Sequence, residues 1–185
     1  QVARLGGPTL LAGEGSFGEQ KTTALLPGIE WLEGKQRSSD VTVVGEGVGY
    51  RPLPAPFQLT VPLVAVEADG LLTGLMWAPL QDWGGEGMPM AEFASPNFLD
   101  GQANQLCSAF VPGWPAYAAP NQRSAATPLE LTAGEALSFE TQLYAIGGKT
   151  TNDAVPLWYS AYGQPEPPTL VRPLVDYVGI IGQCL

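Results

Sequence analysis

The residues best suited to chemistry lie together between Gly74 and Asn104, in the stretch GLMWAPLQDWGGEGMPMAEFASPNFLDGQAN. Trp77, Trp83, Phe93 and Phe98 alternate there with Asp82, Glu86, Glu92 and Asp100, among Gly, Pro and Asn residues that favour loops. An aromatic face packs on the apolar C–H side of a sugar ring, and carboxylates and amides take the hydroxyls around its rim. The spacing therefore suits recognition of a polyhydroxylated ligand. No complete catalytic signature runs through it.

Five tryptophans occur, Trp31, Trp77, Trp83, Trp114 and Trp158, and core packing is the default role of each. Trp77 closes a strand-like run and reads as core. Trp83 in DWGGEG and Trp114 in VPGWPAYAAP sit beside small residues in loop-like contexts, where an aromatic is expected to be exposed. The ligand-binding set expected from sequence is thus Trp83, Trp114 and Tyr117 for stacking. Asp82, Glu86, Asn97, Asp100 and Asn104 would bond hydroxyls. A glycosidase needs two carboxyl groups about 5–9 Å apart, and spacing along a chain does not establish that separation. Solvated surface carboxylates are the ordinary reading, so no catalytic residue is named. DGQAN at Asp100–Asn104 has the alternating oxygens of a calcium loop but lacks the later bidentate Glu and a third acidic ligand. An Asx-turn is the expectation, with calcium the lesser alternative; no other cofactor or metal is expected.

Composition removes several classes of function. The chain has no histidine, which excludes Ser-His-Asp and Cys-His machinery and imidazole metal sites. Its net charge is −10, with only eight Lys and Arg residues, scattered singly. Nucleic acid and anionic membrane surfaces are therefore not expected partners, and neutral or weakly cationic ligands fit better. EGSFGE and VVGEGVGY lack the G-K-[ST] of a phosphate loop and read as turns. Cys107 and Cys184 are far apart: a disulfide would close a long loop, and two buried thiols fit equally well. No apolar run is long enough for a membrane helix, so no membrane insertion is expected. No signal-peptide pattern opens the chain; a mature start or an internal piece of a longer polypeptide would both look this way.

The elements that must carry these residues are strands. The chain has 23 Gly and 18 Pro in 185 residues, between short Val, Leu, Thr and Phe runs, the pattern of a turn-rich all-β protein. PTLLAG, TTALLPGIEWL and VTVVGEG read as strands, GKQRSSD as a polar loop, and RPLPAPF as a crossing or edge segment. FQLTVPLVAVE, the turn ADG and LLTGLMW form the clearest hairpin, apolar on both faces and so expected at the centre of a sheet. MAEFAS, QLCSAFV and LELTA are further strands. ALSFETQLYAI reads as one long strand with Leu137, Phe139 and Leu143 on one face and Ser138, Glu140 and Gln142 on the other. After Gly148, TTNDAVPLWYSAYG predicts a short helix with Asn152 or Asp153 as N-cap and Gly163 as its end. QPEPPTLVRP is a stiff linker, and PLVDYVGIIGQCL stops while still apolar, as a cut polypeptide or a docked tail would. The expected fold is an antiparallel β-sandwich over residues 1–150, with residues 151–185 a proline-rich linker and a helical, extended or docked appendage.

LLPGIEWLEG at Leu25, TVPLVAVEADGLLTGLMWAPLQDW from Thr60 and FASPNFLDGQANQL from Phe93 resemble β-sandwich regions of large bacterial carbohydrate-active proteins. Those regions are similar to the galactose-mutarotase-like super-sandwich, usually joined to a helical toroid. WYSAYGQPEPPTLVRPLVDYV resembles the linker and first toroid helix of such proteins. The likeness touches about half the chain and brings over no catalytic residue, since mutarotase chemistry relies on histidines. It implies a secreted or cell-envelope setting, a glycan partner and further domains in the same polypeptide. The leading expectation is a non-catalytic carbohydrate-binding or accessory domain of a polysaccharide-degrading enzyme. A glycoside hydrolase or polysaccharide lyase fragment acting through carboxylates, and a structural module of an envelope or filament protein, are the rivals.

Overall fold

A computed structural model describes residues 7–12, 21–38, 54–85, 88–95, 105–116 and 125–163, with the backbone alone described for Leu11, 113–116 and 125–128. These residues form mostly strands in antiparallel sheets, with one helix toward the C-terminal side. VTVVGEG, QPEPPTLVRP, PLVDYVGIIGQCL and Cys184 lie outside the described residues.

The hairpin predicted around ADG organises the larger sheet. β4 (Leu63–Ala68) and β5 (Leu71–Met76) pair from Leu63↔Met76 to Ala68↔Leu71, joined by Asp69 and Gly70 alone. Both turn residues have positive φ, 51° and 73°, the backbone that lets a two-residue loop follow the right-handed twist of the strands. Asp-Gly is the pair that adopts it at least cost. β4 and β5 are interior in the five-stranded order β10-β5-β4-β2-β3, formed with β2 (Thr23–Leu26), β3 (Glu30–Glu33) and β10 (Gln142–Gly147). Their alternate residues serve two cores, as apolarity on both faces requires. Leu63, Ala65, Leu72 and Met76 enter one cluster, while Val64, Val66 and Leu75 enter the other.

The second sheet has the order β1-β7-β6, from β1 (Thr9–Ala12), β6 (Met90–Ala94) and β7 (Gln105–Val111). Every residue of the central β7 is buried. Ala12, Ala91, Phe93, Cys107 and Ala109 of this sheet join Ala24, Leu26, Val64, Val66 and Leu75 of the larger one in a single apolar cluster that also contains Trp77. A small ladder pairs β8 (Gly113–Ala116) with β9 (Ala125–Pro128).

The helix α1 (Thr151–Tyr162) covers the other face of the large sheet, where Ala154, Val155, Leu157, Trp158 and Tyr162 pack in the cluster of Leu63, Leu72 and Met76. Trp158 Nε1 donates to the Trp77 carbonyl at 2.9 Å, and the Thr23 and Thr151 hydroxyls bond at 2.9 Å. Among the described residues no helix is long and apolar enough to cross a membrane.

Several local expectations are corrected. TTALLPGIEWL is a hairpin, β2 and β3, because Gly28 takes φ 88° and its α-carbon approaches the Gln58 carbonyl so closely that a Cβ would collide. FQLTVPLVAVE becomes a strand only at Leu63; Pro56–Gln58 is a single 3-10 turn. LELTA is not a strand, and β9 ends just before it at Pro128. The helix cap is Thr150, one turn ahead of Asp153, whose Oδ2 accepts the Thr150 N–H at 3.0 Å.

The long strand ALSFETQLYAI is also shorter than expected. Before Gln142 its backbone is held by a side chain rather than by a neighbouring strand. Glu140 N–H donates to Gln81 Oε1 at 2.6 Å, and Gln81 Nε2 returns a bond to the Glu140 carbonyl at 3.0 Å. Phe139 turns into the core, but Leu143 is 64% exposed on edge strand β10, so the two do not share a buried face.

Candidate functional site

Where the last turn of α1 meets the segment 138–142, the surface opens into a cleft of about 610 Å³. Its walls include Gln81, Asp82, Phe139, Glu140, Gln142 and Tyr162. Three lengths of chain converge to make it. β5 ends at Met76, and the turn that follows delivers Gln81 and Asp82. The Gln81 amide grips both backbone groups of Glu140, and Ser138 N–H donates to the Trp83 carbonyl at 3.1 Å. The third contributor is Tyr162, whose hydroxyl donates to the Met76 carbonyl at 3.3 Å; Thr141 Oγ1 reaches the same oxygen at 3.0 Å.

Asp82 is exposed, and its Oδ1 accepts the Gly84 N–H at 3.1 Å in an Asx-turn. Gly84 has φ 86°, and a Cβ there would stand 2.8 Å from the Ala136 carbonyl, so glycine is the residue this turn requires. Burial first, and the Glu140 carboxylate second, push the Tyr162 hydroxyl above the usual tyrosine range. Tyr159, one turn earlier on the helix and 58% exposed, continues the aromatic surface through Trp158, whose ring centroid lies 5.3 Å from that of Tyr159 and 5.7 Å from that of Tyr162.

Among the described residues singled out by sequence, Asp82 lines this cleft. Trp83 goes the other way. It is 1% exposed, packs its ring edge-on against Phe110 at 5.2 Å, and lies in the core rather than on a loop surface. The neighbouring glycines explain the reversal. The backbone of Gly85 lies directly on the six-membered ring of Trp83, where any Cβ would overlap it. Glycine here marks close approach of the backbone to a buried indole, the opposite of exposure. Trp114 belongs to strand β8, opposite Thr127, and not to a loop. Glu86, Asn97, Asp100, Asn104 and Tyr117 lie outside the described residues, as does the DGQAN stretch considered for calcium.

Sequence reasoning missed Gln81, Glu140, Gln142 and Tyr162. The available signal was WYSAY within a predicted helix: Trp158 and Tyr162 are one turn apart, which puts two aromatics on one helix face. Glu140 and Gln142 gave no signal, because a continuous strand would have left them on a plain solvent face. Among the described residues no three His, Cys, Asp or Glu side chains come together as a metal cage. The cleft offers instead the Tyr162 ring, two carboxylates, the Gln142 amide and hydroxyls, the Gln81 amide being taken up by Glu140 and Ala78; such a lining can hold a polyhydroxylated ring. No protein-family model, no curated protein and no solved structure matches this chain.

Proposed function

We propose that this chain is a non-catalytic carbohydrate-binding or accessory β-sandwich domain of a polysaccharide-degrading enzyme. The observation that carries the reading is the cleft, whose walls include Asp82, Glu140, Gln81 and Gln142 together with Phe139 and Tyr162. Tyr162 supplies the stacking face in place of the buried Trp83. The apolar cluster shared by the five- and three-stranded sheets supports the sandwich arrangement, since it draws side chains from one face of each. The resemblance of the segments from Thr60 and Phe93 to super-sandwich regions points the same way and suggests a secreted or envelope setting with further domains alongside.

A polysaccharide panel run by affinity electrophoresis tests this, with Asp82→Asn and Tyr162→Ala alongside. Retardation by one glycan, weakened by either change in a protein that still melts cooperatively, is the expected result. Removing a true contact should cost on the order of 1–3 kcal/mol of binding. Release of reducing ends that stops with Asp82→Asn or Glu140→Gln would replace the binding reading with a carboxylate glycosidase. Self-association with no glycan affinity would replace it with a structural module.

A further inference from the structure

We infer that the cleft selects a cationic sugar, an oligosaccharide of amino-sugar units with free ammonium groups, over its neutral counterparts. This rests on the glycan-binding reading above and narrows it by charge. Asp82 spends Oδ1 on the Gly84 N–H, and its Oδ2 has no partner among the described residues. Glu140 is held by its backbone alone: both bonds from Gln81 go to its main-chain groups, leaving the carboxylate without a hydrogen bond or ion pair among the described residues. No Lys or Arg stands among the described lining residues.

Three further features add to the negative field. The cleft sits at the C-terminal end of α1, with Tyr162 the last helical residue, and that end carries the negative pole of the helix dipole. The last turn of α1 has no basic residue to offset it. Lys149, at the other end of the same helix, is occupied with Asp153 at 2.9 Å; Asp153 lies in the first turn, nine residues before Tyr162 and so about 14 Å away along the axis. Meanwhile the Tyr162 ring on the cleft wall can attract a cation as well as the C–H face of a sugar, whereas the Phe139 ring is stacked on Phe110 with centroids 4.8 Å apart. A neutral glycan would meet these carboxylates as hydrogen-bond acceptors. An ammonium group in place of a hydroxyl would meet them as charge-assisted partners, which are roughly twice as strong. An anionic glycan would be repelled.

The test is calorimetric titration of the whole chain, at about pH 6 where carboxylates are ionised, with a glucosamine tetramer and its fully N-acetylated twin. Spermidine serves as a cation with no sugar ring. The expected result is at least about tenfold tighter binding of the free-amine tetramer than of either other ligand. That preference should shrink on going from 0.1 to 1 M salt, where the screening length falls from about 10 to about 3 Å. Asp82→Asn and Glu140→Gln should each remove most of it. Equal or tighter binding of the acetylated tetramer, or retention of some neutral glycan by a protein that ignores both tetramers, overturns the charge selectivity and leaves the glycan reading standing. Equal binding of spermidine overturns recognition of the sugar. Absence of affinity for both tetramers and for every glycan of the panel overturns both readings together.

Discussion

Replacing Trp83 by alanine separates a core tryptophan from a ligand platform. A tryptophan buries roughly 150–250 Å², which at about 25 cal/mol per Å² corresponds to about 4–6 kcal/mol for nearly the whole ring. The unfolded chain already hides part of that surface, so the figure is an upper bound. Aromatic-to-alanine changes in cores cost about 3–5 kcal/mol, and about 4 kcal/mol is the working value for Trp83→Ala. The ring's edge contact with Phe110 and the Gly85 backbone lying on its face leave a cavity with stiff walls, which argues against the low end. For a domain of this size each kcal/mol lowers Tm by about 2–4 °C, so a drop of about 8–16 °C is expected. Trp31→Ala is the control: that ring is 42% exposed, and its loss should cost within about 1 kcal/mol. Urea unfolding followed by circular dichroism gives both numbers on one scale. An unfolding midpoint for Trp83→Ala matching the parent, together with abolished glycan retention, would refute the core assignment and restore Trp83 as the stacking residue.

Other consequences follow from the same packing. Tyr144 pairs with Gly74 across β10 and β5, and its ring lies where a Cβ on Gly74 would stand, its hydroxyl donating to the Val64 carbonyl at 2.8 Å. Gly74→Ala should therefore cost about 1–3 kcal/mol by overpacking, and Tyr144→Phe about 1 kcal/mol through the lost bond, both read from thermal melts. Burial pushes the Cys107 thiol from 9.0 to about 12, so in a Cys184→Ser background native protein should not react with a thiol reagent near pH 8 while unfolded protein reacts at once. Since the unfolded thiol ionises first, Cys107 should contribute a fall in stability as pH rises from 9.0 toward 12, by about 1.4 kcal/mol per pH unit; Cys107→Ala should make that limb shallower, leaving the share of the buried Tyr144 hydroxyl. Asp153 is held below the usual carboxylate range by the Thr150 N–H and then by Lys149, so its stabilisation of α1 is present above the ordinary carboxylate value and lost as pH falls through the depressed one. Asp153→Asn should make the helical signal less sensitive to acid over that window.

Local periodicity and turn chemistry were enough for the elements whose structure is decided by their own residues. The hairpin from Leu63 to Met76 was legible because Asp69-Gly70 is a turn that needs no tertiary help, and because Val and Leu on both faces require cover on both sides. β6, β7 and the helix ending at Gly163 were legible for similar reasons. What the tertiary structure decided is where those elements meet. DWGGEG reads as an exposed loop when its glycines are taken as flexibility; only the fold reveals that Gly84 and Gly85 are glycines because the Ala136 carbonyl and the Trp83 ring press on them. ALSFETQLYAI alternates like a strand, yet the Gln81 amide, 59 residues away in sequence from Glu140, takes the place of the strand neighbour that would have continued it. From the sequence alone the net charge of −10 made neutral or weakly cationic ligands the expectation, and the absence of histidine removed imidazole chemistry. The cleft itself joins Asp82, Glu140 and Tyr162 from three separate segments, and contacts over that distance along the chain leave no periodic trace in it.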